Sequence, residues 1–169
     1  MLLYGMGAQG LQAYALRSYG VELSLEEATL YRRRFFQTYP DLKRWHDGER
    51  RAWLRGETET RTLAGRRRMD IEKLTDRLNA PVQGTGADGL KLALALLWER
   101  RDECPGAVPV LVCHDEVVVE CEAEQAADVE AWLEKAMIEG MKAVLNDTDE
   151  AHIPVEVEAR IAISCGEGD

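Results

Sequence analysis

Apolar residues in this chain recur with two periods, and the switches between them mark out the elements. Ser24 followed by Glu27 forms a capping-box pattern. Ala28, Tyr31, Phe35 and Tyr39 then recur at helical spacing, which predicts a helix ending before Pro40, since a proline disfavours helix at the residue preceding it. A second helix is predicted over Leu42 to Leu54, with Trp45 and Trp53 packing and Gly56 ending it. The stretch ETETRTLAGRRRMD alternates about Ala64-Gly65 and predicts a hairpin with a basic tip. Pro81 fits a helix entry or a kink, and Thr85 to Arg101 reads as a long helix rich in apolar surface.

Downstream, the β-rich runs Val110 to Cys113 and Val117 to Cys121 flank His114-Asp115-Glu116. From Gln125 to Leu145 one stripe holds Val129, Trp132, Leu133, Ala136, Met137, Met141 and Val144, so this segment is an amphipathic helix. IPVEVEARIAIS alternates strictly and predicts a final, half-buried strand. The order αα, hairpin, α, ββ, α, β implies an α+β fold, an antiparallel sheet covered by helices. No repeat or Pro/Gly-rich linker divides the chain, so residues 1–169 are expected to form a single unit.

Composition changes this picture little. The 169 residues are 46% hydrophobic and 31% charged, ordinary for a globular domain. No apolar run reaches the roughly 20 residues of a membrane span, and the first residues form no secretory signal. A cytoplasmic protein without a membrane partner is expected. The opening MLLYGMGAQGL is apolar and Gly-rich, and it reads as the tail of an element that begins upstream. Cys104, Cys113, Cys121 and Cys165 show no metal-type spacing and read as small hydrophobes.

Charge is more informative. The net charge of −10 argues against nucleic acid, but Arg32 to Arg68 holds twelve Lys/Arg against five Asp/Glu, a local balance of +7. Glu122 to Glu150 holds nine acids against two lysines, a local balance of −7. Phosphate binding follows the local field, so the basic segment fits either a nucleic-acid backbone or a solvated helix surface.

Two spots could carry chemistry. At His114-Asp115-Glu116 a turn between hydrophobic strands presents two carboxylates beside an imidazole. Carboxylates on a rigid hairpin suit Mg²⁺, which takes hard oxygen ligands and keeps waters and phosphate oxygens; a solvated acidic turn fits as well. In NAPVQGTGAD, the amides of Asn79 and Gln83 can donate and accept, which suits base edges. Helix capping and packing explain them equally. Gly84, Gly86 and Gly89 each cost about 1 kcal/mol in a helix, so either a ligand or a neighbouring helix comes close there.

Taken in order, LLYGMGAQGL, FFQTYPDLKRW, TLAGRRR, RLNAPVQGTGADGLKLAL and LVCHDEVVVE resemble the last third of family A DNA polymerases, of the DNA polymerase I type. The resemblance covers Leu2 to about Ile163. It implies part of a polymerase palm and fingers, about residues 1–70 being fingers-like helices and basic hairpin and about 71–169 palm-like. It implies template-directed nucleotidyl transfer in DNA replication or repair, with primer-template DNA and dNTP as partners and two Mg²⁺ ions as cofactor. By the same resemblance, Asp115 would hold the metals with Glu116 supporting, and His114 would lie against the primer-terminal nucleotide. Asn79 and Gln83 would touch the minor groove, and Tyr4 would stand beside the templating base. A backbone contact from Arg66, Arg67 and Arg68 is compatible.

The chain also departs from that pattern. The family often has Arg four positions before the motif's Asn; here Thr75 stands there, and Arg77 is the nearest arginine. Cys165 stands where the family usually has Trp. The first catalytic aspartate and the triphosphate-gripping Arg and Lys would lie upstream of Met1. These departures imply little activity for the isolated chain, and keep open a non-catalytic nucleic-acid or partner-binding module, or one half of a split polymerase. Apolar surface that an upstream half would cover, MLLYGMGAQGL included, should be exposed and favour self-association or a partner.

Overall fold

The computed structural model describes residues 2–145 and 153–164. The chain divides into two compact units, Met1–Val82 and Gln83–Asp169. Both mix helices with small antiparallel ladders.

The first unit holds helices α1 (Ala8–Tyr19), α2 (Leu25–Thr38) and α3 (Pro40–Leu54), then the short strands β1 (Thr60–Arg61) and β2 (Arg67–Arg68). Helix α2 starts where the capping box requires. Glu27 N–H donates to Ser24 Oγ at 3.1 Å, and Ser24 N–H donates to the Glu27 carboxylate at 2.8 Å. The Ser24 N–H and then its hydroxyl hold the Glu27 carboxyl below its ordinary pKa. The cap is therefore complete above that ordinary value and fades as pH falls through the lowered one. Tyr39 closes α2 and opens α3, and Pro40 occupies the first helical position, where its missing N–H costs nothing. Of the expected stripe only Ala28 is buried; Phe36 rather than Phe35 joins it, while Tyr31 and Tyr39 are exposed. Trp53, expected to pack, is exposed as well, because the inner position of that turn belongs to Ala52.

Helix α4 (Leu74–Glu99) begins eleven residues earlier than Thr85, and Pro81 lies inside it rather than at its entry. An interior proline costs about 3 kcal/mol in an isolated helix. Burial outweighs that cost here, since Leu78 and Ala80 in the turn just before it are in the core. The first turns of α4 belong to the first unit and the remainder to the second.

The second unit continues with β3 (Val108–Cys113), β4 (Glu116–Glu120) and α5 (Ala126–Leu145). Its core joins Leu97 of α4, Val117 of β4 and Val129, Trp132 and Ala136 of α5, with Cys104 and Cys121 packed against it. Those two cysteines act as small hydrophobes; Cys113 is exposed, and Cys165 lies outside the described residues. Helices α4 and α5 meet through glycines. A Cβ built on Gly140 would stand 2.6 Å from Ala93 N and 2.7 Å from the Gly89 carbonyl oxygen. One built on Gly89 would collide with the Met141 sulfur. Helix packing thus accounts for Gly89, while space beside Gly86 is open. Beyond the crossing, Arg100 pairs with Glu139 at 2.6 Å, and Trp132 Nε1–H donates to the Arg100 carbonyl at 3.2 Å.

Three expectations are corrected. The single antiparallel sheet is instead two separate ladders, β1–β2 and β3–β4. Residues 154–160 alternate in burial and 161–164 are exposed, but none joins a ladder, because a strand needs a partner edge as well as an alternating pattern. The opening segment is half-buried rather than an exposed patch. His46 Nε2 lies 2.7 Å from the Leu3 carbonyl oxygen, and Arg32 Nε–H donates to the Met6 carbonyl at 3.2 Å. Exposed apolar residues lie elsewhere, most densely on β3, where Val108, Val110, Leu111 and Val112 are all exposed.

Candidate active site

The chemistry-bearing turn of the second unit is short. Cys113 of β3 pairs with Glu116 of β4, so only His114 and Asp115 connect the strands. Such tight connections demand left-handed backbone, which Gly and Asn adopt cheaply. His114 takes that conformation with φ 56°, at a cost on the order of 1–2 kcal/mol for a residue with a Cβ. Directly after Glu116, Val117 is buried in the core, so the turn stands on an anchored strand. His114, Asp115 and Glu116 are all exposed.

Asp115 and Glu116 offer adjacent carboxylates, hard oxygen donors of the kind Mg²⁺ prefers, and their exposure leaves room for water and phosphate oxygens. Among the described residues no cluster of three or more His, Cys, Asp or Glu forms a complete ligand set. The donor chemistry fits a cation held largely by outside ligands. Gln83 also belongs to this unit and is exposed, while Thr85 two residues on is buried.

Tyr4, Asn79, Arg66 and Arg67 belong to the first unit. Tyr4 ends a single helical turn, Leu2–Tyr4, and is half-buried. The Leu3 carbonyl beside it contacts His46, whose ring packs against Phe36 and Trp45. Burial pulls the His46 imidazole below its ordinary pKa, with the Leu3 carbonyl pulling the other way. Asn79 is half-buried in α4.

The hairpin forms as its alternation predicts. Thr60 pairs with Arg68 and Arg61 with Arg67. Gly65 N–H bonds the Thr62 carbonyl at 3.0 Å, and Gly65 sits at φ 82°, the left-handed position that closes a three-residue connection. Arg66, Arg67 and Arg68 are exposed, but Arg67 is engaged with the Glu59 carboxylate. The Arg67 hydrogen bond holds Glu59 below its ordinary pKa, and Glu59 raises Arg67 in turn. Exposed pairs of this kind contribute little to stability.

The family model described as DNA polymerase family A matches residues 1–167. The chain belongs to DNA polymerase family A. It is 45% identical over 163 residues to DNA polymerase I of Aquifex aeolicus, covering 95% of this chain and 27% of that protein. It is 34% identical over 176 residues to the thermostable DNA polymerase I of Thermus aquaticus, covering 95% of this chain and 19% of that protein. Among solved structures it resembles the POL domain of Pol1 from M. smegmatis in complex with DNA primer-template and dNTP. That likeness has a TM-score of 0.68 and 26% identity, over 82% of this chain and 25% of the other. The chain thus spans between 19% and 27% of the length of these family A relatives, which are enzymes.

Sequence reasoning missed two structural residues of this family A chain. Arg77, the arginine nearest the departing Thr75, is buried and contacts Glu49 and the backbone at Glu57 and Glu59. The available signal was an arginine beside Leu78 and three residues after Leu74, on an otherwise apolar face. His46 carried no signal, because its partner is a main-chain oxygen 43 residues away.

Proposed function

We propose that this chain is the C-terminal part of a family A polymerase domain that binds the growing end of DNA for template-directed nucleotidyl transfer in replication or repair. About residues 1–70 form the fingers-like portion and about 71–169 the palm-like portion. The observation that supports this best is the His114–Asp115 connection: a left-handed histidine and an exposed carboxylate leading into a strand anchored in the core by Val117.

In this reading Asp115, supported by Glu116, presents anionic oxygen at the primer 3′-end. Bound there, Mg²⁺ ions supply charge stabilisation at the attacking and leaving oxygens. His114 rests on the primer-terminal nucleotide. Asn79 and Gln83 donate to minor-groove acceptors, which occur with little dependence on sequence and so report pair shape. Tyr4 stands by the templating base, and Arg66 and Arg67 track the backbone. A dNTP is the co-substrate, and the compartment is the cytoplasm; among the described residues no helix is long and apolar enough to cross a membrane.

The +7 balance of residues 32–68 also favours a second reading, duplex binding without catalysis, with another polypeptide supplying the remainder. The exposed apolar face of β3 is the surface such a partner, or a second copy, would cover.

Primer extension separates these readings. The 169-residue chain alone should extend no primer with Mg²⁺, since one carboxylate pair cannot position both reacting groups. Grafted in place of the matching segment of the Aquifex aeolicus enzyme, it should support extension. Extension by the chain alone, or a folded graft that binds primer-template yet extends nothing, would contradict the proposal.

A further inference from the structure

The buried arginine of α4 bonds the chain that leads into the basic hairpin. Arg77 is 5% exposed. Its Nη1 donates to the carbonyls of Glu57 at 2.8 Å and Glu59 at 2.7 Å. Its Nε lies 2.6 Å from Glu49 Oε2 of α3, off the N–H axis, so that contact is an ion pair rather than a directed hydrogen bond. A longer contact, 3.7 Å, reaches the Glu57 carboxylate.

The pattern of these carbonyls is informative. In an extended chain successive carbonyls point to opposite edges. The Thr58 carbonyl points one way and accepts Ile71 N–H at 3.0 Å, just beyond the end of the β1–β2 ladder. The Glu57 and Glu59 carbonyls, two residues apart, point the other way, where a third strand would otherwise donate. One guanidinium nitrogen supplies both donors.

We infer that Arg77 is the positioning residue for the basic hairpin: it replaces a missing strand at the outer edge of residues 57–59 and ties that edge to α4. Asn79 lies two residues further along the same helix. One side chain therefore fixes the register between the Asn79 turn and the hairpin carrying Arg66, Arg67 and Arg68. A guanidinium is needed because it holds several donors in one rigid plane, which an ammonium does not. The link to duplex binding rests on the proposed function; the clamp itself does not.

Hydrogen exchange of the whole chain tests the clamp. In Arg77→Lys, the amides of Thr62, Gly65 and Ile71 should exchange about tenfold faster than in the parent, with α3 amides as the internal reference. Glu49→Gln, which leaves both carbonyl bonds in place, should loosen the hairpin less. Unchanged hairpin exchange in Arg77→Lys overturns the inference. So does equal loosening in Glu49→Gln, which would make the ion pair the holding contact.

Duplex binding supplies the second arm. Arg77→Lys should weaken binding about tenfold and lower the slope of log affinity against log salt by about one, as losing a phosphate contact does. Adding Arg66→Ala to Arg77→Lys should cost less than Arg66→Ala costs in the parent. Additive losses with an unchanged salt slope overturn the positioning role. If the parent chain binds no duplex at low salt, the nucleic-acid reading fails, and the exchange comparison alone decides the clamp.

Discussion

In the Aquifex graft, Asp115→Asn should lower single-nucleotide incorporation by about 10³-fold or more, on the order of 4 kcal/mol of barrier. Asparagine keeps the size of the side chain and one carbonyl oxygen. It loses the negative charge that makes a carboxylate a ligand for a hard divalent cation. Asp115 is exposed on its turn, so folding should change by no more than about 0.5 kcal/mol. The expected signature is a variant with the parent's melting temperature and primer-template affinity but almost no incorporation. Glu116→Gln should cost less, because the adjacent carboxylate is given only a supporting role. Incorporation within about fivefold of the parent would show that Asp115 does not act at the reacting phosphate.

The second large effect is on folding. Gly140→Val should destabilise the chain by about 3 kcal/mol. The first added atom would meet Ala93 N at 2.6 Å, the Gly89 carbonyl oxygen at 2.7 Å and Ala93 Cα at 2.9 Å. All three are main-chain atoms of α4, so no rotamer change makes room, and the helices must separate along the core holding Leu97, Val129 and Ala136. Urea unfolding measures this directly. Gly86→Ala is the control: nothing lies within 4 Å of a Cβ built there, so the same class of change should leave stability equal or higher. An unfolding midpoint for Gly140→Val equal to the parent's would mean that α4 and α5 do not cross through Gly89 and Gly140.

Elements whose signals are local were legible in the sequence. The Ser24/Glu27 box, the Pro40 boundary, the Ala64-Gly65 turn and the α5 stripe each involve residues a few positions apart, and each formed where expected. Elements decided by distant partners were not legible. Pro81 left entry and kink open and the glycines of α4 left ligand and helix open; only the Gly89–Gly140 crossing and the burial of Leu78 and Ala80 decide for one continuous helix packed on another. Residues 153–164 have the alternation of a strand and lack a ladder, because alternation fixes faces without supplying an edge. The apolar run of β3 is exposed, while the core takes Val117 of its partner strand β4 with Val119 packed against it.

The candidate site divides the same way. The β-rich runs on either side placed His114 and Asp115 on a connection, while Glu116, expected in the turn, instead opens β4 opposite Cys113. The left-handed backbone of His114 was not visible in the letters. Nor were the bonds from Arg77 and His46 to main-chain carbonyls, because a carbonyl acceptor is present at every residue and so marks none of them.

In the proposed arrangement the His114–Asp115 turn faces the growing end of DNA. A primer carrying a photoreactive 3′-terminal base, annealed to template and bound to the graft, can be cross-linked and the attachment mapped by peptide mass spectrometry. The proposed arrangement places the adduct on His114 or its immediate neighbours between Cys113 and Glu116. Attachment confined to the acidic helix α5, with none on that turn, would contradict it.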